Sequence, residues 1–88
     1  MLNNRRSELD IVVDILNLSK DGANKTSILY KTNLSYSQLK NYLSILLEKD
    51  ILKEVMVEQN GRDLKHYKTT SKGLNLLELS QEITNLLE

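Results

Sequence analysis

The feature that most constrains this chain is a change of period just past its middle. Before Asp50 the apolar residues recur every three or four positions, the repeat of one helix face. After it they read as a strand, through Ile51, Leu52, Val55, Met56 and Val57. They then meet Asn60-Gly61, the strongest short-range signal for a hairpin turn. The segment just upstream has an equally sharp beginning. Ser35 and Gln38 form an S-x-x-Q capping box, and Leu34 and Leu39 are placed to staple the helix entrance. A helix over Ser35–Lys49 follows, with Leu39, Leu43, Leu46 and Leu47 on one side. Ser37, Lys40, Asn41, Ser44 and Glu48 lie on the other.

The remaining elements group around this pair. Ser7 and Asp10 open a first helix running to about Ser19, with apolar rows through Leu9, Val12, Val13, Leu16 and through Ile11, Ile15, Leu18. Lys20-Asp21-Gly22 closes it. A short second helix covers Lys25–Thr32, capped by Asn24 or Thr26, with Ile28 and Leu29 inward. Gln59–Asp63 is read as the hairpin turn and Leu64–Thr70 as the returning strand. A last helix starts at Thr70 or Ser71 and runs toward Glu88, with Leu76, Leu79, Ile83 and Leu86 spaced as a heptad seam. The expected fold is mainly α with a small β-hairpin, in the order helix, helix, helix, hairpin, helix. That is the winged helix-turn-helix arrangement, with residues 1–88 as one domain and 71–88 as its terminal helix.

Charge narrows the function. The chain balances 12 basic against 12 acidic residues. The balance is not uniform: residues 20–72 hold ten bases and six acids, whereas residues 7–19 and 73–88 each hold three acids and no base. No cysteine is present, which excludes disulfides and thiolate metal sites and fits a reducing cytoplasm. The single histidine, His66, has no evident metal-binding companions. No nucleophile motif, glycine-rich phosphate loop or paired carboxylates appear, so an enzyme is not expected, nor a cofactor or metal. No apolar run approaches the ~20 residues of a membrane span, and the arginines of Met1–Arg6 precede no apolar signal region. The expectation is a cytoplasmic protein without a membrane partner.

A helix that reads the major groove needs an outward face of donors and acceptors with no acid at its leading end. Tyr36, Ser37, Lys40, Asn41 and Ser44 meet that requirement as base contacts. Asn41 is suited to an adenine edge and Lys40 to guanine or phosphate. The hairpin, residues 58–68, carries Arg62, Lys65 and Lys68 for the backbone or minor groove, and Lys25 and Lys31 extend the backbone contacts. The plain alternatives are a solvated helix face and a charged surface hairpin. The seam of Leu76, Leu79, Ile83 and Leu86, with Ile11 and Ile15, is read either as packing within one chain or as a homodimer interface. The dimer is the favoured reading.

Lys25-Thr26-Ser27-Ile28-Leu29-Tyr30, Asn33-Leu34-Ser35-Tyr36, then Leu39, Tyr42-Leu43 and Leu46, resemble the archaeal winged-helix DNA-binding regulators. Tyr67-Lys68-Thr69-Thr70-Ser71-Lys72-Gly73-Leu74 is similar to the close of the wing in that family. The resemblance covers about residues 8–80. It implies double-stranded DNA as partner and a role as transcription regulator or small chromatin-associated protein. The chromatin-associated members dimerise through a long antiparallel coiled coil of the last helix. Here that helix is shorter, and the net charge is neutral. A winged helix that binds protein, with little or no DNA binding, is the alternative function.

Overall fold

The computed structural model describes residues 7–88. Met1–Arg6, including the two N-terminal arginines, lie outside the described residues. The first helix, α1, spans Glu8–Leu18 and opens with a reciprocal box: Asp10 N–H donates to Ser7 Oγ and Ser7 N–H to the Asp10 carboxylate. The second, α2, spans Lys25–Thr32, with the Asn24 side chain accepting from Ser27 N–H at 2.7 Å. It stops at Asn33, whose φ of 57° breaks the helix in the left-handed region. Leu34 and Ser35 complete the turn into α3, Tyr36–Glu48, and the Ser35–Gln38 box is formed in both directions.

The hairpin pairs β1, Leu52–Gln59, with β2, Arg62–Thr69, in antiparallel register. Its connection is tighter than the five-residue turn read from sequence. Asn60 and Gly61 both take positive φ (54° and 76°), the requirement of a two-residue type I′ turn, so Gln59 and Arg62 already pair. A third short strand edge joins at the base. Ala23 and Tyr67 exchange both backbone hydrogen bonds, at 2.9 and 2.8 Å. The last helix, α4, spans Ser71–Leu87, capped by Thr70. The order is helix, helix, helix, hairpin, helix, and the fold is a winged helix.

The core lies where the helices meet the base of the wing. Ile15 and Leu16 of α1, Ile28 of α2, Leu39, Leu43 and Leu46 of α3, Leu52 and Tyr67 of the hairpin and Leu77 of α4 form one buried cluster. Two of the hydroxyls that enter it are bonded, Thr69 Oγ1 donating to Leu16 O at 2.7 Å and Thr32 Oγ1 to Ile28 O at 2.7 Å, whereas the buried Ser19 Oγ has no hydrogen-bond partner among the described residues. Such bonds matter because a buried hydroxyl without a partner costs about 1–3 kcal/mol.

The junction between α3, β1 and α4 fixes the wing relative to α3. Ile51 N–H donates to Leu46 O, Thr70 Oγ1 donates to Asp50 O, and Lys72 Nζ reaches Lys49 O at 2.9 Å. The ammonium sits at the negative end of α3's dipole. Gly73 makes the approach of α4 possible. A Cβ there would lie 2.5 Å from the Ile51 carbonyl oxygen and 2.6 Å from Thr69 Cγ2.

One expectation about α1 is corrected by this packing. Ile15, assigned to a dimer interface, is 0% exposed and fully enclosed by its own chain. Leu16 of the other row is equally enclosed, whereas Leu9 at the start of α1 is left exposed. Ile11 and Leu76 are half-buried against the same core. The first turns of the seam therefore pack within one molecule. Leu79, Ile83 and Leu86 remain exposed along the outer half of α4.

Candidate nucleic-acid interface

The outward face of α3 is open along its length. Ser37, Gln38, Asn41, Ser44, Ile45 and Glu48 are all exposed, and Tyr36 and Lys40 flank them on one side. The geometry follows from the sequence: three leucines at positions 39, 43 and 46 anchor the opposite side in the core and fix the rotation of the helix. Ser35 satisfies one first-turn amide through its hydroxyl, leaving the remaining N-terminal N–H groups and the positive end of the dipole at the exposed end. No acid occurs in that first turn.

α2 is joined to this end of α3 by an interaction that the sequence pattern does not announce. Lys25 Nζ stands 5.4 Å from the centroid of the Tyr36 ring, a cation–π distance. Lys25 and Tyr36, each the first residue of its helix, thus form one cluster. Lys31, at the far end of α2, is exposed, as is Tyr30 beside it.

The wing divides its charges between its two faces. Register and pleat put Lys53, Val55, Val57 and Gln59 of β1 on one face with Arg62, Leu64, His66 and Lys68 of β2. The other face carries Leu52, Glu54, Met56 and Glu58 with Asp63, Lys65, Tyr67 and Thr69. The first holds three cations and no acid. The second holds three acids and one lysine. The three wing cations chosen from sequence therefore do not lie on one face. Arg62 and Lys68 share a face, whereas Lys65 lies on the reverse, bonded to Glu54 at 2.9 Å. The hydrogen bond and charge of Glu54 raise the Lys65 pKa above the usual lysine value. Lys53, which sequence reasoning passed over, pairs with Lys68 and completes the cationic face. The signal was available: a two-residue Asn-Gly turn fixes the register, and the register sets Lys53 opposite Lys68.

His66 lies at the base of that face, its Nδ1 within 3.8 Å of a Cβ built on Gly22. Among the described residues no group of three or more His, Asp or Glu could hold a metal ion. Between α1 and α4 lies a groove of about 380 Å³, whose lining includes Val13, Asn17, Lys20, Leu74, Leu77 and Glu78.

A helix presented on a leucine-packed base by a tight turn from a preceding helix, followed by a two-stranded ribbon, defines a winged helix-turn-helix protein. The chain belongs to the winged helix-turn-helix family, whose model matches residues 5–88. Similar folds occur among solved structures. A PadR family transcription regulator from Clostridium difficile R20291 superposes with a TM-score of 0.77 at 16% identity, covering 88% of each chain. A PadR-like transcription factor from Bacteroides fragilis gives 0.65 at 29% identity, over 86% of this chain and 81% of that one. Sso10a-2, a DNA-binding protein from Sulfolobus solfataricus, gives 0.71 at 24% identity, over 92% and 81%. No curated protein matches the chain. These neighbours are bacterial as well as archaeal, so the likeness extends across the winged-helix class and is not confined to the archaeal regulators. No helix among the described residues is long and apolar enough to cross a membrane.

Proposed function

We propose that this chain binds double-stranded DNA as a transcriptional regulator, with α3 in the major groove and the wing on the backbone or in the minor groove. The observation that carries this reading is the outward face of α3, solvent-exposed from Ser37 to Glu48 over a closed core and free of acids in its leading turn. Tyr36, Ser37, Lys40, Asn41 and Ser44 contact bases; Lys25 and Lys31 contact phosphates. On the wing, Lys53, Arg62 and Lys68 meet the phosphates as one cationic face, and Lys65 contributes less because Glu54 already engages it. The family and the described roles of the PadR and Sulfolobus neighbours support this assignment. The function needs no catalytic group or cofactor.

The protein acts as a homodimer in this reading. Leu79, Ile83 and Leu86 lie exposed on the outer half of α4, with Leu86 86% exposed, a row whose burial against a second copy is favourable. A two-fold pair would set the two α3 helices about one DNA turn apart, ~34 Å, and favour a palindromic site.

A second reading has one observation in its favour. The balanced net charge suits a winged helix that docks on protein. Fluorescence anisotropy with a labelled random-sequence duplex, titrated with salt, separates the two. DNA binding gives an affinity that falls steeply as salt rises. Absence of binding at low salt would overturn the DNA assignment and leave protein docking.

A further inference from the structure

The outward face of α3 contains one side chain that polar recognition does not explain. Ile45 is 50% exposed. It lies one turn after Asn41 and about 40° around the helix from it, among Gln38, Asn41, Ser44 and Glu48. The core beneath is closed by Leu39, Leu43 and Leu46, each nearly or wholly buried, so the fold does not depend on Ile45 for packing. It stands on the flank of α3 away from α2, since Tyr36, which meets Lys25, occupies the other flank. An aliphatic side chain has no hydrogen bond to offer a base edge. The single apolar group displayed in the major groove is the 5-methyl of thymine.

We propose that Ile45 is a specificity-determining residue that reads a thymine methyl beside the adenine bonded by Asn41. The step from Asn41 to Ile45 advances about 6 Å along the helix axis, fewer than two base-pair steps. The two side chains therefore address the same or an adjacent pair. Asn41 supplies the bidentate hydrogen bonds and Ile45 excludes water from the neighbouring methyl. Lys40, on the other flank, is left for guanine or phosphate. This inference rests on the DNA-binding reading and adds to it a demand for an A·T-containing step.

The test selects bound fragments from a random 20-base-pair duplex pool with the wild-type chain and with Ile45→Ala. Ile45 is half in water, so the variant keeps its fold, which its unfolding midpoint checks. The wild-type chain is expected to enrich a fixed thymine that the variant no longer demands. In the selected duplex, replacing that thymine by deoxyuridine removes the methyl alone. Wild-type affinity is expected to fall roughly three- to tenfold, as burial of one methyl implies, and Ile45→Ala affinity to stay constant. Equal losses for both proteins, or no loss at any thymine position, would overturn the role of Ile45 while leaving DNA binding intact. A wild-type chain that enriches no sequence would overturn this inference together with the major-groove reading.

Discussion

At the scale of single residues the outcome turns on close approaches. Gly73 is the clearest case, because a Cβ there meets a backbone carbonyl that has no freedom to move aside. Gly73→Ala is expected to destabilise the protein by about 1–3 kcal/mol, the usual cost of overpacking, read from the urea midpoint. Thr69→Val leaves the volume nearly unchanged and removes the hydroxyl bond to Leu16 O. It is expected to cost a similar amount, about 1–3 kcal/mol, as a buried carbonyl loses its donor. What could be read residue by residue from the sequence divides along the same line. The boxes at Ser7–Asp10 and Ser35–Gln38 were legible because both partners sit three positions apart. Thr69 with Leu16, Ala23 with Tyr67 and Lys72 with Lys49 join residues far apart in the chain, and no local pattern announces them. The burial of Ile15 was hidden for a related reason. Both apolar rows of α1 look alike in sequence, and each has a residue enclosed by the chain, Leu16 in one and Ile15 in the other, which only the packing of the neighbouring elements decides.

At the scale of elements, the helices and the hairpin follow from period and caps, whereas the two faces of the wing follow from register. Alternation along β2 was visible, but the face to which each lysine belongs depends on the partner strand. The division has a consequence for salt dependence. Replacing Lys53, Arg62 and Lys68 together by alanine is expected to make the slope of log affinity against log salt shallower by about 0.9 for each phosphate left unneutralised. Lys65→Ala, on the acidic face and bonded to Glu54, is expected to change that slope little. An equal effect of Lys65 would mean that both faces of the ribbon meet the nucleic acid. The outward face of α3 was legible in advance as a polar row. Ile45 was not, because an isoleucine beside a leucine stripe reads as core until the rotation of the helix is known.

At the scale of the whole molecule, α4 is divided in use. Its first turns, through Gly73, Leu76 and Leu77, close the core, and its outer turns carry Leu79, Ile83 and Leu86 into solvent. Leu79→Glu with Ile83→Glu is expected to convert a dimer of about twice the 10.1 kDa chain mass into a monomer, measured by sedimentation equilibrium. An unchanged mass would remove the seam from the assembly. Because neither residue belongs to the buried cluster, the variant is expected to retain its helical content. The central claim, that the polar face of α3 reads the major groove, is tested most directly by equilibrium binding of Lys40→Ala with Asn41→Ala to the duplex selected by the wild-type chain. The expected result is affinity reduced to that for a scrambled duplex, with the unfolding midpoint preserved; wild-type affinity for the selected duplex would contradict it.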